Sequence, residues 1–235
     1  MRPLFDSRLD AGQRLARALA RYRGRNPLVL AVPRGAVAMG AVIARELDGE
    51  LDVALVKKLR APDSPEVAVG AVDETGWTYV APHAAMAGAD AVYLAKEKAV
   101  ELELLRERRA RYTPARAPAD PAGRIVIVVD DGIATGASMI AALHSVRARK
   151  PARLICAVPV ASPESREQVR PYADEVVCLE APEDFGAVSE FYREFRQVED
   201  DEVVALLAAC SRSKPYSSGQ RLARWRSTER SQCGE

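Results

Sequence analysis

Three stretches of this chain are apolar over about the length of one strand. They are Leu28–Val32, "IVIVV" ending at Val129, and "LICAVPV" ending at Val160. Uninterrupted apolar runs are typical of strands that are covered on both faces. Each run is followed by small or polar residues and then by a helical pattern, in "AVAMGAVIARELDG", "GASMIAALHSVRARK" and "PESREQVRPYA". The alternation predicts an α/β fold, a mainly parallel twisted sheet flanked by helices.

Other segments add to this framework. We predict a second core strand in "LDVALVKKL", a strand over Val67–Val72 with a hairpin partner in "GWTYVAP", and a strand in "DEVVCLEAP". Helices are expected over residues 9–22, over residues 90–112 and near Asp200–Ala209. The helix over 90–112 repeats apolar residues at Ala91, Ala95, Ala99, Leu102, Leu105 and Tyr112. Its arginines at 106, 108, 109 and 111 alternate with acids, which indicates a solvated face.

The domain is expected to span residues 1–210. Residues 211–235 are polar and poor in aliphatic side chains, which predicts a disordered tail.

Three informative stretches follow predicted strands. "PRGA" begins at Pro33, the lysine pair is Lys57 and Lys58, and "DDGIATGAS" begins at Asp130. Because ligands of open α/β sheets bind beyond the carboxyl ends of the strands, these stretches predict a single site.

The loop "GIATGAS" leads into a helix, so its backbone N–H groups lack helical partners and point outward with the positive end of the helix dipole. Gly132 and Gly136 permit the bends, and Thr135 and Ser138 add hydroxyl donors. This arrangement suits a phosphate group.

The two carboxylates of Asp130 and Asp131 would repel that anion unless they had another task. They can accept hydrogen bonds from sugar hydroxyls, or help to hold Mg²⁺ through water. A ligand with a phosphate at one end and a diol beside it meets both requirements.

Other phosphate and nucleophile motifs are absent at this loop. A Walker A loop needs Gly-Lys-Ser/Thr, but Ala137 follows Gly136. The dinucleotide G-x-G-x-x-G and the G-x-S-x-G nucleophile elbow are also missing. A capped helix start with solvated aspartates would explain "DDG" alone, but not the whole stretch after "RIVIV".

Composition narrows the class of protein. The chain has 235 residues, 48% of them hydrophobic, and a formal net charge of +1, so no global field attracts nucleic acid or a membrane. The first ten residues lack the apolar core of a secretory signal. The four cysteines are widely spaced, which favours reduced thiols and a cytoplasmic location over a disulfide framework or a zinc site.

The stretch "IVIVVDDGIATGAS" resembles the ribose-phosphate-binding signature of the type I phosphoribosyltransferases. "VPRGAVAMGAVIARELDGELDVALVKKL" is similar to the family's pyrophosphate loop, and the resemblance covers roughly Leu28 to Leu179. Bacterial phosphoribosyltransferase-like proteins with "PRG" and "K-x-x-A-P-x-x-P-E" stretches are matched at Pro33–Gly35 and Lys58–Glu66. The resemblance implies a core over residues 28–179 and a small separate hood.

The resemblance also implies an activity. A Mg²⁺-dependent enzyme would transfer the 5-phosphoribosyl group of phosphoribosyl pyrophosphate (PRPP) to a small nitrogenous acceptor and release pyrophosphate. A homodimer is a candidate assembly.

The implied site residues fall into groups. Asp130 and Asp131 would contact the ribose hydroxyls. The 5′-phosphate would be bound by Ile133, Ala134, Thr135, Gly136, Ala137 and Ser138, and the pyrophosphate by Arg34, Gly35, Lys57 and Lys58. The catalytic candidates are Arg34, Asp131 and Glu66, which lies in a predicted catalytic loop over residues 60–68. A solvated strand end explains either lysine equally well, and a solvated loop glutamate is the simpler explanation of Glu66.

The hood candidates are the N-terminal helix, the helix over 90–112 and residues 180–210. There Phe185 is the candidate for stacking on a base, whereas Phe191, Tyr192 and Phe195 have the spacing of a buried helix face. Ala134 stands where hypoxanthine-guanine enzymes carry an acid, so a 6-oxopurine acceptor is disfavoured. A regulator that binds PRPP without catalysis would use the same fold, and a partner-binding scaffold is a weaker third hypothesis.

Overall fold

The computed structural model describes residues 3–114 and 117–212 of the chain. Its main sheet is parallel and has five strands. In chain order they are β1 (Leu28–Ala31), β2 (Glu50–Val53), β6 (Ile125–Val129), β7 (Arg153–Val160) and β8 (Glu175–Glu180). Their order across the sheet is β2-β1-β6-β7-β8. The predicted α/β fold with a parallel sheet is confirmed, and most of the predicted tail, from residue 213 onward, lies outside the described residues.

A second, smaller sheet is antiparallel. Its strands, in the order β3-β4-β5, are β3 (Val56–Ala61), β4 (Ser64–Asp73) and β5 (Thr78–Val80). β5 pairs with β4 from Gly70 to Val72, which confirms the predicted hairpin.

The helices lie between and around the strands. In the described residues they are α1 (Arg8–Ala18), α2 (Ala36–Glu46), α3 (Ala91–Tyr112), α4 (Ala137–Ala148), α5 (Pro163–Val169) and α6 (Asp200–Arg212). The helices α1, α3 and α5 begin at side-chain caps, where Ser7, Asp90 and Ser162 each accept a hydrogen bond from a backbone N–H of the first turn. None of the helices in this part of the chain has the length and apolar character needed to cross a membrane.

The inner strands β1, β6 and β7 of the main sheet are buried on both faces because their side chains alternate between two apolar layers. In β1, Val29 and Ala31 join the layer of α1 and α2, whereas Leu28 and Leu30 join the layer of α4. An uninterrupted apolar sequence is therefore required here, and this explains why these strands were recognisable from the sequence.

The prediction of one strand in "LDVALVKKL" is wrong. The segment divides into β2, which joins the parallel sheet, and β3, which begins the antiparallel sheet. The apolar run across Val53–Val56 conceals the break because both parts need apolar residues. Lys57 and Lys58 therefore lie on the second sheet and not at the end of a core strand.

The predicted loop over residues 60–68 is also wrong. Arg60 pairs with Ala68 and Ala61 pairs with Ser64, so the segment is the tip of the β3–β4 hairpin. The prolines at 62 and 65 are compatible with this because they lie at the turn and on the strand that leaves it.

Helix α3 packs differently from the prediction. Ala91, Ala95 and Ala99 are exposed, and the buried positions are Glu101, Leu105 and Tyr112. Arg109, expected on a solvated face, is held between two carboxylates instead. Its side chain, 15% exposed, lies 3.3 Å from the fully buried Asp52 and 2.7 Å from Glu74. These ion pairs attach α3 to the end of β2 and to the turn after β4.

We expect Arg109→Ala to lower the free energy of unfolding by about 3–5 kcal/mol, because it removes one partner of the ion pair that Arg109 forms with the buried Asp52 carboxylate. Urea denaturation measures this. Arg106→Ala in the same helix is the control, since Arg106 forms an exposed pair with Glu103 and should change stability by about 0.5 kcal/mol or less. Equal effects of the two changes would contradict the role given to Arg109.

Candidate functional site

The site lies where β1 and β6 end side by side. Val32 donates its N–H to the carbonyl oxygen of Val129 at 2.8 Å, so the two strands remain paired up to their last residues. The turn that begins at Pro33 and the acid pair that begins at Asp130 therefore leave the sheet together. The Pro33–Arg34 peptide bond in the first turn is cis.

The loop after the acid pair surrounds a small cavity. Gly136 has φ +78°, a left-handed conformation that glycine adopts without strain, and helix α4 begins at the next residue. The cavity, of about 50 Å³, is lined by Lys58, Asp130, Gly132, Ile133, Ala134, Thr135, Gly136, Ser138 and Met139. The structure thus brings together most of the predicted phosphate-binding residues and adds Lys58 from the second sheet. We call this the loop cavity.

The loop is braced from outside. Ser165 donates its hydroxyl to the carbonyl oxygen of Ala134 at 2.6 Å. Ile133 donates its N–H to Val160 at 2.9 Å, and its side chain is buried, so this N–H is already used within the protein. These bonds hold the loop before any ligand arrives, which reduces the entropy that binding must remove.

The two carboxylates are costly to bury. The pKa of Asp130 lies well above its ordinary value, first because burial disfavours the charged form and then because Asp131 is negative. Burial also raises the pKa of Asp131, and the neighbouring Arg8 opposes this shift. The backbone N–H of Asp131 donates to Oδ1 of Asp130 at 2.8 Å, which fixes the first carboxylate.

Asp131 is surrounded by groups from three other parts of the chain. Arg8 donates Nε–H to its Oδ2 at 2.8 Å. Tyr192 donates its hydroxyl to the backbone carbonyl oxygen at 2.6 Å, and burial raises the pKa of that hydroxyl. A Cβ at Gly35 would overlap the same Oδ2, so the close approach of the "PRG" turn to the acid requires glycine.

A second cavity of about 200 Å³ adjoins the loop cavity and shares Lys58 and Ser138 with it. We call it the cationic cavity, since Lys57, Lys58, Arg60 and Arg108 line it with one carboxylate, Glu101. Lys57 pairs with Glu101 at 3.1 Å. Val32 and Pro33 complete it, so it opens directly beside the end of β1. The excess positive charge suits an anion with more than one charge.

The predicted residue Arg34 is placed at the edge of this region. Its guanidinium group lies 3.5 Å from Glu199 and 4.0 Å from Asp200, near the start of α6, and it does not line the cationic cavity. Glu66 is exposed near the tip of the β3–β4 hairpin. Both are therefore less central in this structure than their positions in the sequence indicated.

Residues 4–8 and 185–199 cover the acid pair from one side, and we call them together the hood. Phe5 and Tyr192 form an isolated parallel bridge, and Arg193 donates its N–H to Phe5 at 2.9 Å. Phe185 is half-buried against Phe191, with ring centroids 5.1 Å apart. Phe191 and Tyr192 are buried as expected, whereas Phe195 is only half-buried. The segment contains a 3₁₀ turn, Val188–Phe191, and not the expected helix.

The sequence did not assign Arg8, Arg60, Arg108 or Tyr192 to the binding of a ligand. Arg60 was only part of the predicted loop, Arg108 was expected on a solvated face, and Tyr192 was expected on a buried helix face. Arg60 was the detectable one, because it follows the lysine pair by two residues in "KKLR". Arg8 and Tyr192 reach Asp131 across 123 and 61 residues of chain, a distance that local spacing cannot reveal.

The carboxylates at the site could supply only some of the oxygen ligands that Mg²⁺ requires. Asp130 and Asp131 are hard oxygen ligands, and Mg²⁺ is usually held by one or two carboxylates with water and substrate phosphates. Among the described residues no group of three or more His, Cys, Asp or Glu could hold a metal ion alone. A metal at this site would therefore depend on oxygens that the ligand supplies.

A family model described as a phosphoribosyl transferase domain matches residues 5–196 of the chain. Proteins from two strains of Mycobacterium tuberculosis, whose names assign them provisionally to the phosphoribosyl transferases, are 41% identical to it over 210 residues. The matched region is 87% of this chain and 46% of each relative, so the chain spans about half the length of these relatives. The crystal structure of the protein TT1426 from Thermus thermophilus is similar, with a TM-score of 0.74 and 47% identity over 89% of this chain and 99% of that chain.

We expect Asp130→Asn to raise the free energy of unfolding at pH 7, because the folded protein then no longer buries that negative charge. A carboxyl whose pKa is higher in the folded than in the unfolded protein costs no stability while it is protonated in both states. The cost begins as pH rises above the unfolded-state pKa and is complete once pH exceeds the folded-state pKa. The gain should therefore vanish below the ordinary pKa of 3.8, where the carboxyl is protonated in both states. Urea denaturation between pH 3 and pH 8 measures it, and a variant less stable than the wild type at pH 7 would contradict the burial cost.

Proposed function

This chain belongs to the phosphoribosyl transferase family, and we propose that it transfers the 5-phosphoribosyl group of PRPP to a small nitrogenous acceptor with release of pyrophosphate. The observation that carries the proposal is the junction of the two cavities. The loop cavity and the cationic cavity meet at Lys58 and Ser138, and Asp130 lines the first of them. A ligand with a phosphate, a diol and a pyrophosphate in sequence matches this arrangement.

The 5′-phosphate belongs in the loop cavity. Ser138 and Thr135 add hydroxyl donors to the free N–H groups at the start of α4. Lys58 supplies a positive charge on the opposite wall. Because Ser165 already fixes the loop, the donors keep their positions when the anion enters.

The ribose diol belongs at the acid pair. Each carboxylate retains acceptor capacity beyond its bonds within the protein, since an ionised carboxylate has about four lone-pair sites. Hydrogen bonds from two sugar hydroxyls would replace part of the hydration that burial removed from Asp130 and Asp131. Binding the diol would therefore explain why the two carboxylates are kept in a place where burial disfavours their charges.

The pyrophosphate belongs in the cationic cavity beside the "PRG" turn. As the bond from ribose C1 to the pyrophosphate oxygen breaks, negative charge accumulates on the leaving group. Lys57, Lys58, Arg60 and Arg108 would stabilise that charge in place. Mg²⁺, when bound through the acid pair and the phosphate oxygens, would neutralise further charge on the leaving group.

The acceptor nitrogen forms the new bond to C1 and must lose a proton. Glu66 remains the proposed general base, although its exposed position requires the β3–β4 hairpin to approach the ribose. Ala134 offers no side-chain acceptor within the loop, so a 6-oxopurine remains disfavoured in this proposal. Phe185 remains the proposed stacking partner for a planar acceptor.

We expect Asp130→Asn with Asp131→Asn to weaken Mg²⁺-dependent PRPP binding by about 100-fold or more, because two charge-assisted hydrogen bonds to the diol are lost. Titration calorimetry measures the affinity. The control is Glu164→Gln with Glu167→Gln, which neutralises two exposed carboxylates on α5. Unchanged affinity in the first variant would refute the assignment. A screen for pyrophosphate release over nucleobases then separates an enzyme from a regulator that binds PRPP without turnover.

Arg108→Ala should weaken binding of pyrophosphate by about tenfold while leaving the affinity for ribose 5-phosphate nearly unchanged, because Arg108 lines the cationic cavity and not the loop cavity. Arg34→Ala, measured in parallel by calorimetry, should show the same preference. Its effect should be smaller, since its guanidinium group faces Glu199 and Asp200. Equal losses for both ligands in the Arg108 variant would place the pyrophosphate elsewhere.

A further inference from the structure

The first residue of α1 reaches the acid pair from the hood. The Arg8 side chain is 12% exposed and donates Nε–H to Oδ2 of Asp131 at 2.8 Å. Asp131 is itself only 17% exposed, so the pair is largely removed from water. Removing one partner of such a pair leaves the other charge with little access to water.

Arg8 is held on its other sides as well. Its NH1 donates to the carbonyl oxygen of Arg196 at 2.7 Å, and its guanidinium carbon lies 3.8 Å from the centroid of the Phe195 ring. These two contacts with the hood fix the plane of the guanidinium group that binds Asp131. This is more than a surface ion pair requires, because each contact fixes a different edge or face of the same group.

Gly35 shows how closely these parts approach. A Cβ there would overlap Oδ2 of Asp131 and would lie 2.8 Å from Nε of Arg8. The "PRG" turn, the Asp131 carboxylate and the Arg8 side chain therefore lie close together at Gly35.

We propose that Arg8 is a positioning residue, which holds the Asp131 carboxylate in the orientation that receives the ribose diol. The inference rests on the proposed function and adds a residue to that site from outside its loops. The ion pair uses one oxygen of the Asp131 carboxylate, Oδ2, and so fixes the rotation of the carboxylate group about its axis. Arg8 acts through Asp131, and it therefore affects ligands that carry the diol and not ligands that lack it.

The experiment compares ligands with and without the diol. Calorimetry in the presence of Mg²⁺ measures the affinities of PRPP, ribose 5-phosphate and pyrophosphate for the wild type, Arg8→Ala and Arg8→Lys. We expect Arg8→Ala to weaken PRPP and ribose 5-phosphate by about tenfold or more and to leave pyrophosphate unchanged. Arg8→Lys should restore part of the loss, because it keeps the charge but not the planar fork.

Arg14→Ala is the matched control. Arg14 also lies in α1, pairs with the carboxylate of Asp10 at 2.8 Å and has its guanidinium carbon 5.2 Å from the centroid of the Phe5 ring. It does not contact the acid pair, so its removal should leave all three affinities unchanged. Arg8→Ala introduced into Asp131→Asn should add little, since the residue through which Arg8 acts is already altered.

The outcomes separate the two proposals. A wild type that binds none of the diol ligands overturns the proposed function and this inference with it. A wild type that binds them, with an Arg8→Ala variant that binds them equally well or loses pyrophosphate to the same degree, overturns this inference alone. If Arg8→Ala does not fold, Arg8→Gln takes its place, because it retains a donor toward the Arg196 carbonyl, and the same comparison decides.

Discussion

Two adjacent, largely buried carboxylates at the end of β6 impose the main constraint on this structure. Burial disfavours both charges, and the charge of Asp131 further disfavours that of Asp130. The surrounding chain responds with a cation from α1 and a cation from the second sheet, at Arg8 and Lys58. Elements that are far apart in the sequence therefore converge on one point. A protein selected only for stability would have no reason to keep Asp130 and Asp131 in this place.

The architecture separates the tasks of the site. The parallel sheet places the "PRG" turn, the acid pair and the start of α4 along one edge, because β1 and β6 are neighbours and end together. The antiparallel sheet and α3 supply Lys57, Lys58 and Arg108, which line the cationic cavity. The hood supplies Arg8 and covers Asp131. The fold alone does not indicate a function. The indication comes from the charged side chains on the edge of the parallel sheet, on the antiparallel sheet with α3, and on the hood.

The sequence was sufficient for the parts whose signal is local. Continuous apolar runs predicted the core strands because both of their faces are covered. "DDGIATGAS" predicted a loop that leads into a helix because its small residues and glycines stand directly before a helical pattern. The sequence was insufficient where an apolar run continues across a break between two strands, or where two contacting residues are far apart along the chain. The segment from Leu51 to Leu59 reads as one strand because both of its parts are apolar, and Arg109 reads as solvated because its partners lie at Asp52 and Glu74. Arg8 could not be found at all without the fold, since no spacing relates it to Asp131.

The two cavities have walls that belong to different sheets. The loop and the end of β1 belong to the parallel sheet, whereas Lys57, Lys58 and Arg60 belong to the hairpin of the second one. An anion that occupies both cavities would therefore act as a cross-link between the two sheets, in addition to contacts such as the Arg109 ion pairs. Its binding free energy would add to the cohesion of the whole fold by mass action, as RT ln(1 + [L]/Kd). The concentration of such an anion would then change the fraction of the protein that is folded at equilibrium.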